Sequence, residues 1–371
     1  MTGECAGDRP AASLYTYALA LRDPLSTGRG PLTHRRGVLV CLRDARGHEG
    51  WGEAAPLRGW HGPDLMTTSE VLARWLRSVA PIDHPEALIR HVDAGLRAAP
   101  CAWAAIGGAL ADLEARRRGI TLAALLAEMT SSARVPSSGP VATAALLEGE
   151  TPPAVAGAAA AARAAGFGTV KLKVGNRPLA EDVARVAALR DAAPDVALRL
   201  DANGAWGSEA SDAVAALGRF EPELVEEPCH GLEALRALQG RTPVPIAVDE
   251  SLPALVDLQH HLPLGVGVAV LKPSALGDPR AVLRAAVALR ESGSAVVIGS
   301  FLESAVGLAT ATHVAAVAGG PAAGLGTAAL LVEDVCAPLP VRDGGLWLSP
   351  RPGLGLTPDP GRLTALDDTG A

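Results

Sequence analysis

Acidic and basic side chains stand at the ends of short apolar runs in the second half of the chain. They occur in the strings VKLKV, LRLDAN, LVEEP, IAVDES and VLKP, and the residues concerned are Lys171, Lys173, Asp201, Glu226, Asp249 and Lys272. From Lys173 onward they follow one another at 28, 25, 23 and 23 residues. One strand, one helix and two short loops occupy about that much chain. The spacing predicts that successive strands deliver a charged group to the same end of a sheet.

Three of these groups are carboxylates, on Asp201, Glu226 and Asp249. Each alone could be an ordinary helix cap or loop acid. Three carboxylates converging in a partly dry site would repel one another unless a cation lay between them. Because oxygen ligands favour Mg²⁺, or Mn²⁺, over zinc, we predict a magnesium site at these three acids. The sequence has no His or Cys cluster with zinc spacing, and His260-His261 is predicted to lie on the surface of a helix.

The lysines predict acid–base chemistry. Lys171 and Lys173 are two residues apart, so both side chains share one face of a strand. Lys272 follows four strands later, on the opposite side of a closed barrel. We expect crowding with a metal and other amines to lower a lysine pKa towards neutrality, as a general base requires. Together with a metal that stabilises developing negative charge, the pair predicts proton abstraction next to a carboxylate.

Regular alternation of strands and helices positions these groups. From residue 135 we predict strands near 139–144, 168–173, 197–201, 223–226, 244–249, 266–272, 294–299 and 322–327. Helices are predicted near 153–166, 179–192, 208–218, 231–239, 252–260, 279–291 and 304–318. Eight short, apolar strands with seven helices predict a (β/α)7β TIM-like barrel, in which active residues occupy the C-terminal ends of the strands.

The first part of the chain has a different organisation. Residues 13–60 are β-rich, with a hairpin predicted between 37–43 and 50–54, and helices are predicted at 69–79, 85–96 and 102–118. We therefore divide the chain into an α+β capping domain (1–134), the barrel (135–337) and a C-terminal segment that returns to the capping domain (338–371).

Composition excludes several classes of protein. The chain has 371 residues, 49% of them hydrophobic and 20% charged, and a net charge of −7. It has no basic stripe, which argues against nucleic-acid binding. Five widely spaced cysteines and the lack of a signal-peptide pattern predict a cytoplasmic protein. The apolar stretch 305–332 is long enough for a membrane span, but Gly319-Gly320-Pro321 interrupts it. We predict a buried helix and strand there, and no membrane association.

The strings K-x-K, D-A-N, E-E-P, D-E-S and K-P, in this order, resemble the enolase superfamily and its muconate-lactonizing subgroup. The string GWGEAAPL at 50–57 is typical of the capping domain of that superfamily. The superfamily uses a Lys or His base with Mg²⁺. The resemblance implies that Asp201, Glu226 and Asp249 are metal ligands and that Lys173 and Lys272 are the catalytic pair.

A finer resemblance is to the o-succinylbenzoate synthase family of menaquinone biosynthesis. It rests on RRGVLVCLRD at 35–44, VEEPC at 225–229 and GLGTAALLVEDV at 324–335. It implies Mg²⁺-dependent dehydration of 2-succinyl-6-hydroxy-2,4-cyclohexadiene-1-carboxylate, a small carboxylate. Lys173 would remove the α-proton and return a proton to the departing hydroxyl, while Lys272 stays cationic. The loop GSFLES at 299–304 is bulkier than the family resemblance implies.

Other activities of the subgroup remain alternatives: N-acylamino acid racemase, dipeptide epimerase or muconate-type cycloisomerase. Dipeptide epimerases usually carry a D-x-D motif on the eighth strand, which anchors the substrate ammonium group. This chain has Gly324 and Gly326 at the matching positions, so that anchor is absent. A non-catalytic barrel would have lost a ligand or a lysine, and none is lost.

For substrate binding we predict Lys171, Asn203 and Ser300 on the barrel. Arg29 and Arg58 are predicted in two Gly-rich loops, 25–30 and 57–61, that would cover the barrel mouth.

Overall fold

The computed structural model describes residues 12–27, 30–57, 62–78, 94–130 and 139–366. Its N-terminal part begins with three strands, β1 (Ala12–Thr27), β2 (Gly30–Arg43) and β3 (Glu49–Ala54). These strands are antiparallel neighbours. Asp44 closes the predicted β2–β3 hairpin because its carboxylate accepts the backbone N–H groups of Arg46 and His48 at 2.9 Å.

Within the described residues four helices follow: α1 (Leu65–Ser78), α2 (Ala94–Arg97), α3 (Pro100–Arg117) and α4 (Leu122–Met129). Helix α3 packs directly on β3. A Cβ atom on Gly52 would lie 1.9 Å from the carbonyl oxygen of Ala105, so only glycine allows this approach. Most of the helix predicted at 85–96 lies outside the described residues.

After strand β4 (Gly139–Ala142), barrel strands and helices alternate from β5 onward, except that no α-helix separates β9 from β10. The elements are β5 (Ala145–Leu147), α5 (Pro152–Ala164), β6 (Thr169–Lys173), α6 (Leu179–Ala192), β7 (Ala197–Asp201), α7 (Ala210–Gly218), β8 (Leu224–Glu226), α8 (Leu232–Gln239), β9 (Ile246–Val248), β10 (Val268–Leu271), α9 (Pro273–Leu276), α10 (Pro279–Glu291), β11 (Ala295–Ile298) and α11 (Ala305–Ala318). Strands β5 to β11 are parallel neighbours in sequence order.

A very short eighth strand closes the barrel. Gly324 pairs with Gly299 after β11, and Ala323 pairs with Thr143 before β5. The backbone N–H of Gly324 donates to the carbonyl oxygen of Ile298 at 2.8 Å, and that of Ala323 to Ala142 at 2.8 Å. The predicted barrel is thereby confirmed.

Two predicted elements are wrong in detail. The first barrel strand is β5, because residues 139–142 instead pair with a C-terminal strand. The predicted helix at 252–260 is absent, and only a 3₁₀ turn, Leu258–His261, is present there. Pro253 lies inside the predicted stretch and supplies no N–H donor for a helix. His260 and His261 are exposed, as predicted.

The residues inside the barrel form a small apolar group of their own. We call this the interior cluster; its members are Leu224, Ala247, Val268, Val270 and Val297. Their strand neighbours, such as Val225 and Val248, belong to the larger core outside the strands. Strand periodicity of two therefore separates an inner from an outer face.

The C-terminal segment contains β12 (Val341–Arg342), β13 (Gly345–Leu348) and β14 (Thr364–Ala365). Strand β13 lies between β12 and β4, whereas β14 pairs antiparallel with β1 of the N-terminal sheet. The boundary proposed at 134/135 lies outside the described residues, and the boundary at 337/338 stays a prediction.

Helix α11 is buried along nearly its whole length. This burial accounts for the apolar stretch from residue 305. Within the described ranges, no helix combines the length and apolar character that a bilayer span requires.

Candidate active site

The predicted site residues occupy the next inward-facing positions along the barrel strands. Glu226, Asp249 and Lys272 each lie two residues beyond a member of the interior cluster. In the strand ladders Lys173 is opposite Asp201, and Asp201 is opposite Glu226. The structure therefore places these groups at the C-terminal ends of neighbouring strands, where barrel active sites form.

The carboxylates face ammonium groups. Lys171 Nζ lies 2.8 Å from Asp201 Oδ2 and 2.7 Å from Glu226 Oε1. Lys272 Nζ lies 2.5 Å from Asp249 Oδ2. All three acids are nearly inaccessible, at 2–3% exposure. Buried carboxylates need such partners, since an unpaired charge in a dry site is costly.

Lys173 has a different partner. Its Nζ donates to Asn203 Oδ1 at 2.8 Å, and Asn203 Nδ2 donates to Glu250 Oε1 at 2.9 Å. The side chain of Lys173 is exposed, whereas the other two lysines are partly buried. Lys173 is thus the most accessible amine of the site, and Asn203 contacts this lysine.

Charge and burial act in opposite directions on the pKa values of the site. Burial lowers the pKa of Lys171, but the charges of Asp201, Glu226 and Asp249 outweigh it and the pKa is raised. The pKa of Lys272 is raised for the same reason, chiefly by Asp249. The carboxylates alone thus raise the pKa values of these two lysines, and the lowering expected beside a metal stays a prediction. Burial holds the pKa of Asp249 well above its usual range, and Glu226 adds to this.

The donor set fits a divalent cation by its chemistry. It consists of three buried carboxylates on successive strand ends, and Asp249 Oδ1 is buried without a hydrogen-bond partner. As they stand, however, no three acidic, His or Cys side chains of the described chain are gathered closely enough to hold a metal. The Lys171 ammonium instead lies between Asp201 and Glu226, so a metal held by all three acids would require this ammonium to give way.

The remaining predicted substrate contacts have mixed outcomes. Ser300 lies beside the eighth strand, where its N–H donates to the Gly324 carbonyl at 2.9 Å. Its hydroxyl already donates to Glu303 Oε2 at 2.6 Å and accepts the N–H of Leu302 at 3.0 Å. Arg29 and Arg58 lie outside the described residues.

Residues of the N-terminal part contact the loops around the mouth, and the sequence prediction missed them. Arg35 on β2 donates to the carbonyl oxygen of Leu302 at 2.8 Å. Glu53 on β3 accepts the N–H groups of Ser304 and Gly307, both at 2.8 Å. Glu53 belongs to the string GWGEAAPL, so a charged residue inside that apolar strand was the available signal.

Comparison with known proteins identifies the family. Residues 154–362 match the family model described as enolase C-terminal domain-like, and residues 9–103 match the model of the MenC N-terminal domain. The chain belongs to the enolase superfamily. The sequence resemblance is confirmed, as is the superfamily's combination of a capping domain and a barrel.

Relatives in this superfamily include several o-succinylbenzoate synthases. The one from Thermobifida fusca is 35% identical over 326 residues, which is 85% of this chain and 82% of that protein. The one from Mycolicibacterium smegmatis is 40% identical over 214 residues, 55% of this chain and 63% of that protein. The chain therefore spans less than two thirds of the length of the second relative.

A solved structure agrees over nearly the whole chain. The dipeptide epimerase from Cytophaga hutchinsonii, complexed with Mg and the dipeptide D-Ala-L-Val, aligns with a TM-score of 0.81. It is 25% identical and covers 96% of this chain and 98% of its own. The enolase-superfamily fold is thus shared by enzymes with different small-molecule substrates.

Proposed function

We propose that the protein is an o-succinylbenzoate synthase that dehydrates 2-succinyl-6-hydroxy-2,4-cyclohexadiene-1-carboxylate to o-succinylbenzoate in menaquinone biosynthesis. The observation that carries the proposal is the Lys173–Lys272 pair beside three buried strand-end carboxylates, in a chain whose relatives include such synthases. The reaction class is a carbon–oxygen lyase, specifically a hydro-lyase.

In this proposal Lys173, in its neutral form, takes the α-proton next to the ring carboxylate. Its accessibility and its contact with Asn203 support this role, because a base must reach the proton that it removes. The same amine then delivers that proton to the departing hydroxyl, which leaves as water. Atoms and charge balance without another reactant, and formation of the aromatic ring favours the product.

Lys272 would remain an ammonium ion, since it is paired with Asp249 at 2.5 Å. Its positive charge would stabilise the negative charge that develops on the substrate carboxylate. Asp201, Glu226 and Asp249 would hold Mg²⁺, or Mn²⁺, which supplies Lewis-acid stabilisation of that carboxylate. Lys171 would then balance the remaining negative charge and contact the substrate.

The eighth strand supports this substrate over a dipeptide. Gly324 lies next to Ser300, and neither it nor Gly326 has a side chain that could pair with a substrate ammonium group. Burying an unpaired ammonium costs several kcal/mol. A neutral or anionic succinyl group has no such requirement.

We place this activity in the cytoplasm. The supporting observation is that the cysteines of the described chain, Cys41, Cys101, Cys229 and Cys336, are free thiols, as is usual in a reducing compartment.

The test compares kcat/KM of the purified protein on three substrates in the presence of Mg²⁺. These are the cyclohexadiene precursor, L-Ala-D/L-Glu and an N-succinyl amino acid. We expect the highest value for the precursor. A higher value for the dipeptide would reject the proposed substrate, and a higher value for the N-succinyl amino acid would favour a racemase. The double variant Lys173→Ala/Lys272→Ala controls for contaminating activity.

A further inference from the structure

The loop between β11 and α11, residues 299–304, adjoins the proposed site and is fixed by the N-terminal part of the chain. A Cβ atom on Gly299 would lie 3.4 Å from Lys272 Cγ, so the loop begins beside a catalytic lysine. Its next residue is Ser300, a proposed substrate contact. We call this segment the 299–304 loop.

Arg35 ties this loop to a second segment. Its guanidinium group donates to the carbonyl oxygens of Leu302 at 2.8 Å and Phe301 at 3.3 Å. The same group donates to Pro56 O at 2.9 Å and to Ala55 O. Arg35 is only 2% exposed. One buried side chain therefore connects residues 55–56 of the capping part with residues 301–302 of the barrel.

Apolar packing and backbone conformation point to the same anchoring. Phe301 is 3% exposed and packs in a cluster otherwise formed largely by capping residues such as Val38 and Ala54. Its ring centroid is 5.8 Å from the Arg35 guanidinium carbon. Leu302 has φ +59°, which a leucine rarely adopts unless its surroundings hold it. The loop is thus held in a conformation that it would not adopt alone.

We propose that Arg35 is a positioning residue that sets the separation of the two segments between which the substrate binds. This inference rests on the proposed function and deepens it. The 299–304 loop carries Ser300, and residues 55–56 immediately precede Leu57 on the capping part. Fixing one segment relative to the other preorganises the pocket for the distal part of the substrate, away from the reacting carbon.

Arginine suits this role because its planar guanidinium has five donors in a fixed arrangement, so one group can serve several carbonyl oxygens. Lysine keeps the charge but has a flexible stem and a single nitrogen. Arg35→Lys therefore removes the geometry of the connection while leaving a buried cation in place.

The test measures KM and kcat of Arg35→Lys on the cyclohexadiene precursor. Loss of charge-assisted hydrogen bonds that act through binding is expected to raise KM about tenfold. The value of kcat should stay nearly constant, because the lysines and acids are untouched. Arg43→Lys is the matched control: Arg43 also lies on β2, but it pairs with the partly exposed Glu49, so neither constant should change.

Hydrogen exchange of the 299–304 amides supplies a readout that needs no substrate. Arg35→Lys should accelerate this exchange, and Arg43→Lys should not. Unchanged exchange, unchanged KM, or a fall in kcat at constant KM would each overturn the proposal. If the wild-type protein fails to convert the precursor, the proposed function fails, while the exchange data still decide whether Arg35 holds the loop.

A second variant covers the case in which Arg35→Lys does not fold. Phe301→Leu loosens the same loop without leaving buried carbonyl groups unpaired. It should raise KM and loop exchange in the same direction by a smaller factor. A folded Phe301→Leu protein with wild-type KM and wild-type exchange would overturn the proposal.

Discussion

Two groups of buried acids in this protein have different kinds of partner. At the barrel mouth Asp201, Glu226 and Asp249 face the ammonium groups of lysines. At the junction between the capping part and α11, Glu53 and Asp334 instead accept hydrogen bonds from backbone N–H groups. Both groups are almost inaccessible to solvent.

This difference suits the two regions to different roles, catalysis at the barrel mouth and structural support at the junction. A lysine ammonium on a flexible stem can move aside for a metal or a substrate, so the mouth can exchange its partners. A backbone N–H at the start of a helix cannot move without local unfolding. Glu53 accepts Ser304 Oγ at 2.5 Å, two N–H groups and the hydroxyl of Tyr17. We infer that the junction keeps the loops in place while the acids at the mouth exchange lysine ammonium groups for a metal or a substrate.

Metal removal should have the largest effect and should act only at the mouth. We expect excess EDTA to reduce turnover to background and added Mg²⁺ or Mn²⁺ to restore it. Asp249→Asn should prevent the recovery, because a predicted ligand is lost. The measurement is initial rate against metal concentration, with hydrogen exchange at Ser304 to Gly307 as the control for the junction. Full activity in EDTA would contradict the metal site.

Replacing the base should come next. Lys173→Ala is expected to lower kcat by about 10²–10⁴, the usual range for a general base, and more if the group acts twice. Because the Lys173 side chain is exposed and hydrogen-bonds to Asn203, its removal should leave the fold intact. Circular dichroism checks this. A loss of less than about tenfold would remove Lys173 from the catalytic role.

Removing an acid from the junction should lower the stability of the fold. Glu53→Ala leaves two buried N–H groups and two hydroxyls without their acceptor, so the free energy of unfolding should fall by about 3 kcal/mol. Glu49→Ala on the same strand removes a partly exposed partner of Arg43 and should cost less than about 1 kcal/mol. Urea denaturation measures both. Equal losses would show that the buried Glu53 contributes no more to stability than the partly exposed Glu49.

The mouth could be predicted from sequence because its signal is local. Lys171 and Lys173 alternate with buried residues, and the acids recur at the spacing of a strand–helix unit. Strand periodicity then fixes the face, and parallel order fixes the end of the sheet. The barrel class and the relative positions of lysines and acids followed from these two rules. The ion pairs of the individual lysines did not.

The junction could not be predicted because its partners are distant in sequence. Arg35 and Leu302 are joined by a hydrogen bond across 267 residues, and Glu53 and Ser304 across 251. No periodicity encodes such a pair. The same limit explains β4, whose partner β13 lies near the end of the chain. An eighth strand of only two paired residues likewise has no distinctive pattern of its own.

The smallest expected effect concerns the pH dependence of the junction. Burial raises the pKa of Asp334 to about 6, with Glu53 adding to this, while N–H groups of Ala305 and Val335 and the charge of Arg362 oppose it. Since an unfolded aspartate has a pKa of about 3.9, the folded state binds the proton more tightly. The stabilising contribution is complete below about pH 4 and is lost as the pH rises through about 6.

Asp334→Asn should therefore flatten the stability profile. An asparagine oxygen can still accept both N–H groups, but it has no charge to desolvate. The decrease in unfolding free energy between pH 4 and pH 7 should become smaller by about 2 kcal/mol than in the wild type. Asp191→Asn, at an exposed position on α6, serves as the control and should leave the profile unchanged. If urea denaturation at a series of pH values gave Asp334→Asn the wild-type slope, the junction acid would have to be ionised without penalty. Asp334 would then not belong to the contrast between mouth acids with movable lysine partners and junction acids that are buried and held by backbone N–H groups.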